Sequence, residues 1–223
     1  NQERLRFYTN ITHELRTPLT LILGPLEDMQ KDTSLPTRQA QKLSVIHQSA
    51  LRLLNLINQI LEFRKTETQN KKLCVCKGNI APLIHEIGLK YKELNQKKAI
   101  DFQIQIEKEE MLLFFDKEII TIILDNLISN AIKYTEQGKI TLSLYPTTRN
   151  GVTYTEIKVS DTGYGISAEA LPHVFDRYYQ ESGKHQASGT GIGLALVRNL
   201  VELHEGEIRV ESIQNEGSTF YIS

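Results

Sequence analysis

Apolar residues recur every seven positions over the first third of this chain, and no other feature limits its folding so tightly. Tyr8, Leu15, Ile22 and Met29 form one row, with Ile11 beside it. A seven-residue period keeps an apolar stripe on one side of an α-helix and demands other helices to cover it. A second row, Leu43, Ala50 and Ile57, is interleaved with Ile46, Leu53 and Ile60 and widened by Leu54 and Leu61. Between the rows lies Lys31-Asp-Thr-Ser-Leu-Pro36, whose Ser, Thr, Asp and Pro end helical periodicity. The pattern predicts helices over residues 1–31 and 37–67, joined as an antiparallel hairpin. Pro18 and Gly24-Pro25 predict bends in the first helix. A lone hairpin leaves part of its stripe wet. Pairing two hairpins into a four-helix bundle hides it, so a homodimer through residues 1–67 is expected, with packing onto the rest of the same chain as the alternative.

The period changes after the polar stretch Thr66 to Lys72, which predicts a linker at 68–72. Leu73-Cys-Val-Cys76 predicts a strand, and residues 80–95 a helix with Leu83, Ile84, Ile87 and Tyr91 on one face. Ile100, Phe102, Ile104 and Ile106 alternate with polar residues, the period of a half-buried strand. Further strands are predicted at 111–115, 139–145, 152–160, 207–211 and 218–222, with a turn at Asn150-Gly151 and helices at 117–134 and 190–204. The chain is thus expected to be α+β, a helical hairpin followed by a two-layer α/β sandwich over 73–223.

Counted from Tyr8 as the first place of a heptad, His13 takes the sixth, turned from the seam and open to another molecule. Glu14 adjoins it and can orient the ring or take its proton. A histidine on a polar helix face is in itself ordinary, and His47, His85, His173, His185 and His204 read that way. In Asp125-Asn-Leu-Ile-Ser-Asn-Ala-Ile-Lys-Tyr134, the spacing of Asn126, Asn130 and Lys133 puts them on one helical face. An amide oxygen suits Mg2+, and a lysine one turn on suits phosphate. In Val159-Ser-Asp-Thr-Gly-Tyr-Gly-Ile166 a strand ends at Asp161, and Gly163 and Gly165 let the backbone turn close to a ligand. Gly189-Thr-Gly-Ile-Gly-Leu194 leads into a helix, whose free amides form an anion site. Each alone is weak, because polar stripes and glycine turns are common. The glycine run also lacks the preceding strand of a dinucleotide fingerprint.

Formal net charge is −1, from 26 basic and 27 acidic residues, which argues against nucleic acid as a partner. Cys74 and Cys76, the only cysteines, would point to opposite faces of a strand and read as free thiols. No apolar run approaches the ~20 residues that cross a bilayer, so no membrane contact by this stretch is expected. The chain opens inside a helical pattern, as a piece of a longer protein would.

In order, these blocks resemble the sensor histidine kinases of two-component systems. His13-Glu-Leu-Arg-Thr-Pro-Leu19 is similar to their phospho-acceptor box. The asparagine block, Asp161-Thr-Gly-Tyr-Gly165 and Gly189-Thr-Gly-Ile-Gly-Leu194 resemble the Bergerat ATP-binding fold, shared with gyrase-type ATPases and Hsp90 chaperones. Val174-Phe-Asp-Arg-Tyr-Tyr179 resembles the family's Phe box and Gly217-Ser-Thr-Phe220 its last glycine box, so the likeness runs from about residue 5 to 221.

The resemblance implies ATP and Mg2+ as cofactors. Asn130 would hold the metal with Asn126 beside it, Lys133 would face phosphate, and Tyr134 would lie near the nucleotide. Asp161 would bind the adenine amine, with Gly163 and Gly165 shaping its pocket. The backbone at Gly189, Thr190, Gly191, Gly193 and Leu194 would cradle phosphates, with 181–188 as a mobile lid. It further implies autophosphorylation of His13, helped by Glu14, and transfer to an aspartate of a response-regulator receiver domain. Glu14-Leu-Arg-Thr17 is similar to a pattern for regulator dephosphorylation, in which Thr17 positions the water. A cytoplasmic location is implied, with the parent protein anchored in the inner membrane. Two departures stand out: Gln180 replaces an arginine carried by many relatives, and His204-Glu-Gly206 replaces His-Gly-Gly. Asn126 stands where the gyrase branch carries the glutamate that activates water, which argues for transfer over hydrolysis. An ATP-driven clamp and a nucleotide-binding scaffold are the competing classes.

Overall fold

A computed structural model describes residues 2–32, 35–67, 72–95, 99–180 and 191–223, with 2–14 and 67 described by backbone alone. It divides into two compact units, residues 1–71 and 72–223. No helix among the described residues is long and apolar enough to cross a membrane.

The first unit is a pair of helices, α1 (Gln2–Gln30) and α2 (Thr37–Glu67). Helix α1 continues through Pro18 and Pro25, each of which lacks the N–H that the carbonyl four residues earlier would receive. Leu19, Leu23, Ala50 and Ile57 form the core of the hairpin, with Leu54 packed against it. The side of α1 that meets α2 is therefore not the seven-residue row of the sequence. Leu15, Ile22 and Met29 are 50%, 51% and 48% exposed, and Ile46 and Leu53 on α2 are 49% and 50% exposed. Each helix carries two apolar stripes: one closes the hairpin, and the other is left outward. Across the hairpin, Nη2 of Arg16 donates to Oδ1 of Asn58 at 2.5 Å.

The second unit opens with a two-stranded antiparallel ribbon of β1 (Cys76–Asn79) and β3 (Leu112–Phe115). The strand expected at 73–76 thus lies three residues further on, and Leu73, Cys74 and Val75 are irregular and exposed. Its place is set by Asn79, whose Oδ1 accepts the amides of Ala81 at 3.2 Å and Met111 at 2.9 Å. That side chain caps α3 (Ile80–Leu94) and holds the start of β3 at once.

The main sheet is built from β2 (Ile100–Ile106), β4 (Gly138–Arg149), β5 (Val152–Asp161), β6 (Ile208–Ile213) and β7 (Gly217–Ile222), in the order β2-β4-β5-β7-β6. Among the described residues only β2 and β4 pair in parallel, because the chain crosses between them through β3 and α4 (Lys117–Tyr134). Strand β4 runs past Tyr145, where the sequence predicts its end. Strand β2 stops opposite Leu144, so the missing N–H of Pro146 leaves no ladder bond unmade. Asn150 and Gly151 turn the chain at φ 52° and 79°. Ile140, Leu142 and Leu144 on β4 are fully buried under Ile84 of α3 and Ile119, Ile123 and Ile128 of α4. Burial of each such side chain contributes about 2 kcal/mol. Helix α5 (Gly193–Leu203) starts three residues later than predicted and adds Leu196, Val197 and Leu200 to the same layer. A short 3-10 turn at Leu171–His173 has no counterpart in the sequence reading.

Candidate functional site

Strand alternation decides where Asp161 goes. Ile157, Val159 and Asp161 lie on one face of β5, so the last residue of the strand delivers a carboxylate to the helix-covered side of the sheet. Its Oδ1 accepts the Gly163 amide at 2.9 Å. Burial raises its pKa above the ordinary carboxylate value, and the amides of Gly163 and Ser218 pull it partly back. Ser218 is a contributor that local sequence patterns miss, because it is brought there by the pairing of β5 with β7, which sets it opposite Asp161.

The loop after Asp161 leans on the end of α4. Tyr164 donates its amide to the Tyr134 carbonyl at 3.1 Å. A side chain at Gly163 would run into that carbonyl and would come within 2.8 Å of the Thr135 hydroxyl, so the approach requires glycine. Gly165 lies against the Ile213–Gln214 turn.

Asn126 meets α5 nearer the middle of α4. Its Nδ2 donates to the Ile122 carbonyl at 2.8 Å, and its Oδ1 would be 2.9 Å from a Cβ on Gly193. It is 7% exposed, a buried residue of the α4–α5 contact. Asn130, one turn on, is half-buried, and its side chain makes no hydrogen bond among the described residues. From Asn126 to Tyr134 the helix rises about 12 Å, and the glycine-bordered loops touch it at both ends of that span. Lys133 places Nζ 3.0 Å from the Tyr134 phenol and 4.6 Å from its ring centroid. Among the described residues no group of three or more His, Cys, Asp or Glu could hold a metal ion. A divalent cation here would need oxygens from its own ligand beside the Asn130 amide, which fits the preference of Mg2+ for substrate phosphate and few protein groups.

Gly191 receives the Tyr178 amide on its carbonyl at 2.9 Å, and Phe175 stacks edge-on with Phe220 at 6.3 Å, which docks the aromatic segment on β7. Leu194 is half-buried in the first turn of α5, and Gln180 is exposed. Gly189, Thr190 and the lid expected at 181–188 lie outside the described residues. So do the side chains of His13 and Glu14, whose backbone is helical within α1. Thr17 is exposed one turn further along α1. The site residues thus fall into two groups, one on each unit.

The family model described as histidine kinase-, DNA gyrase B-, and HSP90-like ATPase matches residues 115–223, and that of the His Kinase A (phospho-acceptor) domain matches residues 3–69. The chain is 37% identical over 229 residues to Histidine kinase P4 of Formosa agariphila, a match covering all of this chain and 16% of that protein. It is 33% identical over 226 residues to Sensor histidine kinase YcbM of Bacillus subtilis, covering all of this chain and 71% of that protein. Hybrid signal transduction histidine kinase D of Dictyostelium discoideum is 32% identical over 97% of this chain and 14% of its own length. The chain therefore spans less than a quarter of the length of several relatives it matches. Among solved structures, full-length ShkA in complex with AMPPNP superposes with a TM-score of 0.77 at 25% identity, over 97% of this chain and 45% of that one. The catalytic domain of histidine kinase ThkA, in a nucleotide-free form, gives 0.55 at 28% identity over 66% of this chain and 93% of that one.

Proposed function

The chain belongs to the histidine kinase family, and on that premise we propose that it binds ATP on its second unit and phosphorylates its own His13. One observation carries this reading: Asn130 offers an unbonded amide between two glycine loops, one ending the Asp161 pocket and one opening α5. Asp161 takes the adenine amine on the lone pairs its carboxylate does not use for the Gly163 and Ser218 amides. The amides leading into α5 take phosphate, helped by the positive end of the helix. Mg2+, held by Asn130 and phosphate oxygens, would neutralise charge on the triphosphate.

Phosphoryl transfer asks mainly for alignment and charge neutralisation. Nε2 of His13 bonds to the γ-phosphorus as the bond from that phosphorus to the ADP oxygen breaks, and the Nδ1 proton passes to Glu14. Lys133 leaves the Tyr134 ring to meet the phosphates. Residues 1–67 carry the acceptor as a homodimer, 68–72 act as the hinge, and 73–223 carry the nucleotide. The outward stripe of Leu15, Ile22, Met29, Ile46 and Leu53 supports the dimer. The phosphohistidine then passes its group to a receiver-domain aspartate, and Glu14 with Thr17 serves the separate hydrolysis of that phosphoaspartate, Thr17 positioning the water that takes the group. The parent protein is anchored in the inner membrane by segments other than this one. A buried asparagine at 126, where hydrolysing relatives place a carboxylate, supports transfer over release of free phosphate.

Incubation with γ-labelled ATP tests the reading. The expected product is label on the protein that is acid-labile, alkali-stable and absent from His13→Gln. Free phosphate without protein label would instead mark a hydrolysing clamp.

A further inference from the structure

Helices α4 and α5 run antiparallel and are pinned at two places. Near the site, Asn126 packs on Gly193, where α5 begins. At the far end the pin is Asp116, the N-cap of α4, which is 4% exposed. Its own amide donates to Nε2 of His204, the C-cap of α5, at 3.0 Å. Its Oδ1 accepts the amides of Glu118 and Ile119 at 3.0 and 3.1 Å, the ordinary work of an N-cap. Its Oδ2 accepts something an N-cap does not need: the amide of Cys74, at 2.7 Å, from the exposed irregular segment that leads into β1.

A buried carboxylate accepting amide N–H groups on both oxygens holds them more firmly than neutral pairs would. Three separate parts of the chain therefore meet at one residue: residues 72–75 and the start of α4 at its carboxylate, and the end of α5 at its backbone amide. His204, an ordinary surface histidine by its sequence context, is one arm of the junction. Asp116 stands about 21 Å along α4 from Asn130, so it cannot touch a nucleotide there. It can only set how α4 and α5 lie against each other.

We propose that Asp116 is a positioning residue that ties the segment entering the second unit to the spacing of α4 and α5, and so sets affinity for ATP. The inference rests on the nucleotide site proposed above, but not on transfer to His13. A pull on Cys74 shifts the α4 cap, and the two pinned helices carry the shift to the Asn126–Gly193 contact. By linkage, nucleotide on that contact protects the Cys74 amide.

Three variants of the 223-residue chain separate this from a role in stability alone. Asp116→Asn keeps a capping oxygen but replaces the Oδ2 acceptor with a donor. Cys74→Pro removes the donated N–H and also fixes φ there, and Cys74→Ala keeps the N–H. Equilibrium binding of a fluorescent ATP analogue is measured beside thermal melting. The expected result is Kd raised at least threefold in Asp116→Asn and Cys74→Pro and unchanged in Cys74→Ala. A purely structural residue would lower the melting temperature and the bound fraction while leaving Kd alone, and that overturns the proposal. Equal effects in Cys74→Pro and Cys74→Ala overturn it too. If the first two variants fail to fold, hydrogen exchange of wild-type Cys74 decides. Exchange slowed at least threefold by saturating analogue supports the tie, and unchanged exchange sinks it. Binding is read without phosphotransfer, so wild-type protein that binds but takes no acid-labile label would refute the kinase reading and leave this one standing.

Discussion

Oδ1 of Asp161 accepts the Gly163 amide at 2.9 Å and the Ser218 amide also bonds this carboxylate, whose remaining lone pairs are what it can offer a ligand. In Asp161→Asn the oxygen can stay with Gly163, and an amide donor then faces the donor of adenine. An unpaired donor costs about 1–3 kcal/mol, so ATP affinity should fall about tenfold to a hundredfold. Isothermal titration with an ATP analogue measures it.

The same substitution should not weaken the fold. Burial lifts Asp161 above its ordinary 3.8, so the folded chain binds that proton more tightly than the unfolded one. The stability this group contributes falls as pH rises from 3.8 through the raised value, and it stays lowered at neutral pH. Asp161→Asn removes that cost. Its melting temperature at pH 7 should match or exceed wild type, with the gain vanishing below pH 3.8.

Asn130 is neutral in the site proposed to hold the polyphosphate. Asn130→Asp adds a negative charge beside the transferring group, where loss of a placed neutral ligand costs about 100-fold or more in rate. Autophosphorylation should fall by that factor while the mass in solution stays that of the wild type. Normal labelling would show that the metal is held elsewhere.

Ile22 is 51% exposed on α1 and lies outside the hairpin core. In Ile22→Glu a charge would have to be buried unpaired at the proposed dimer seam, at a cost of several kcal/mol. Light scattering should report a mass near 25.5 kDa in place of twice that value, with helix content kept. A wild-type chain that already runs as a monomer would remove the basis for the seam.

Glu156 lies on the opposite face of β5 from Asp161, with its side chain 3% exposed. It accepts from Arg149, from Arg209 at 3.3 Å and from the Tyr145 phenol at 2.5 Å. Burial and this hydrogen bond push the phenol well above its usual range. Glu156→Ala removes the shared buried partner but leaves Arg149 beside Glu207 and Arg209 beside Glu211, and should cost roughly 1–3 kcal/mol in urea unfolding. The Kd for nucleotide should not move, because the network faces away from the site.

Periodicity made the hairpin, α4 and the alternating strand at 100–106 legible, because in each the apolar spacing comes from local geometry. On α2 the row of Leu43, Ala50 and Ile57 does close the hairpin, but the closing stripe of α1 was not legible. Leu19, Leu23 and Leu26 compete with Leu15, Ile22 and Met29, and only the position of α2 chooses between them. The first strand of the second unit was misplaced for a similar reason. Leu73-Cys-Val-Cys76 has strand composition, yet pairing begins where Cys76 finds Phe115 and where Asn79 caps α3. In the candidate site, Asp161, Asn130 and the glycines could be read from motifs. Ser218, Asp116 and His204 could not, because their roles rest on contacts made across 57, 42 and 88 positions of chain.

Beyond Leu144 and Ile157, strands β4 and β5 pair only with each other, so Asn150-Gly151 caps a ribbon that outruns the rest of the sheet. Among the described residues nothing lies within 4 Å of a Cβ built on Gly151. The ribbon tip is thus a natural port for a fluorophore or an inserted reporter peptide. A probe seated there could report on the second unit without touching any group proposed to bind or react.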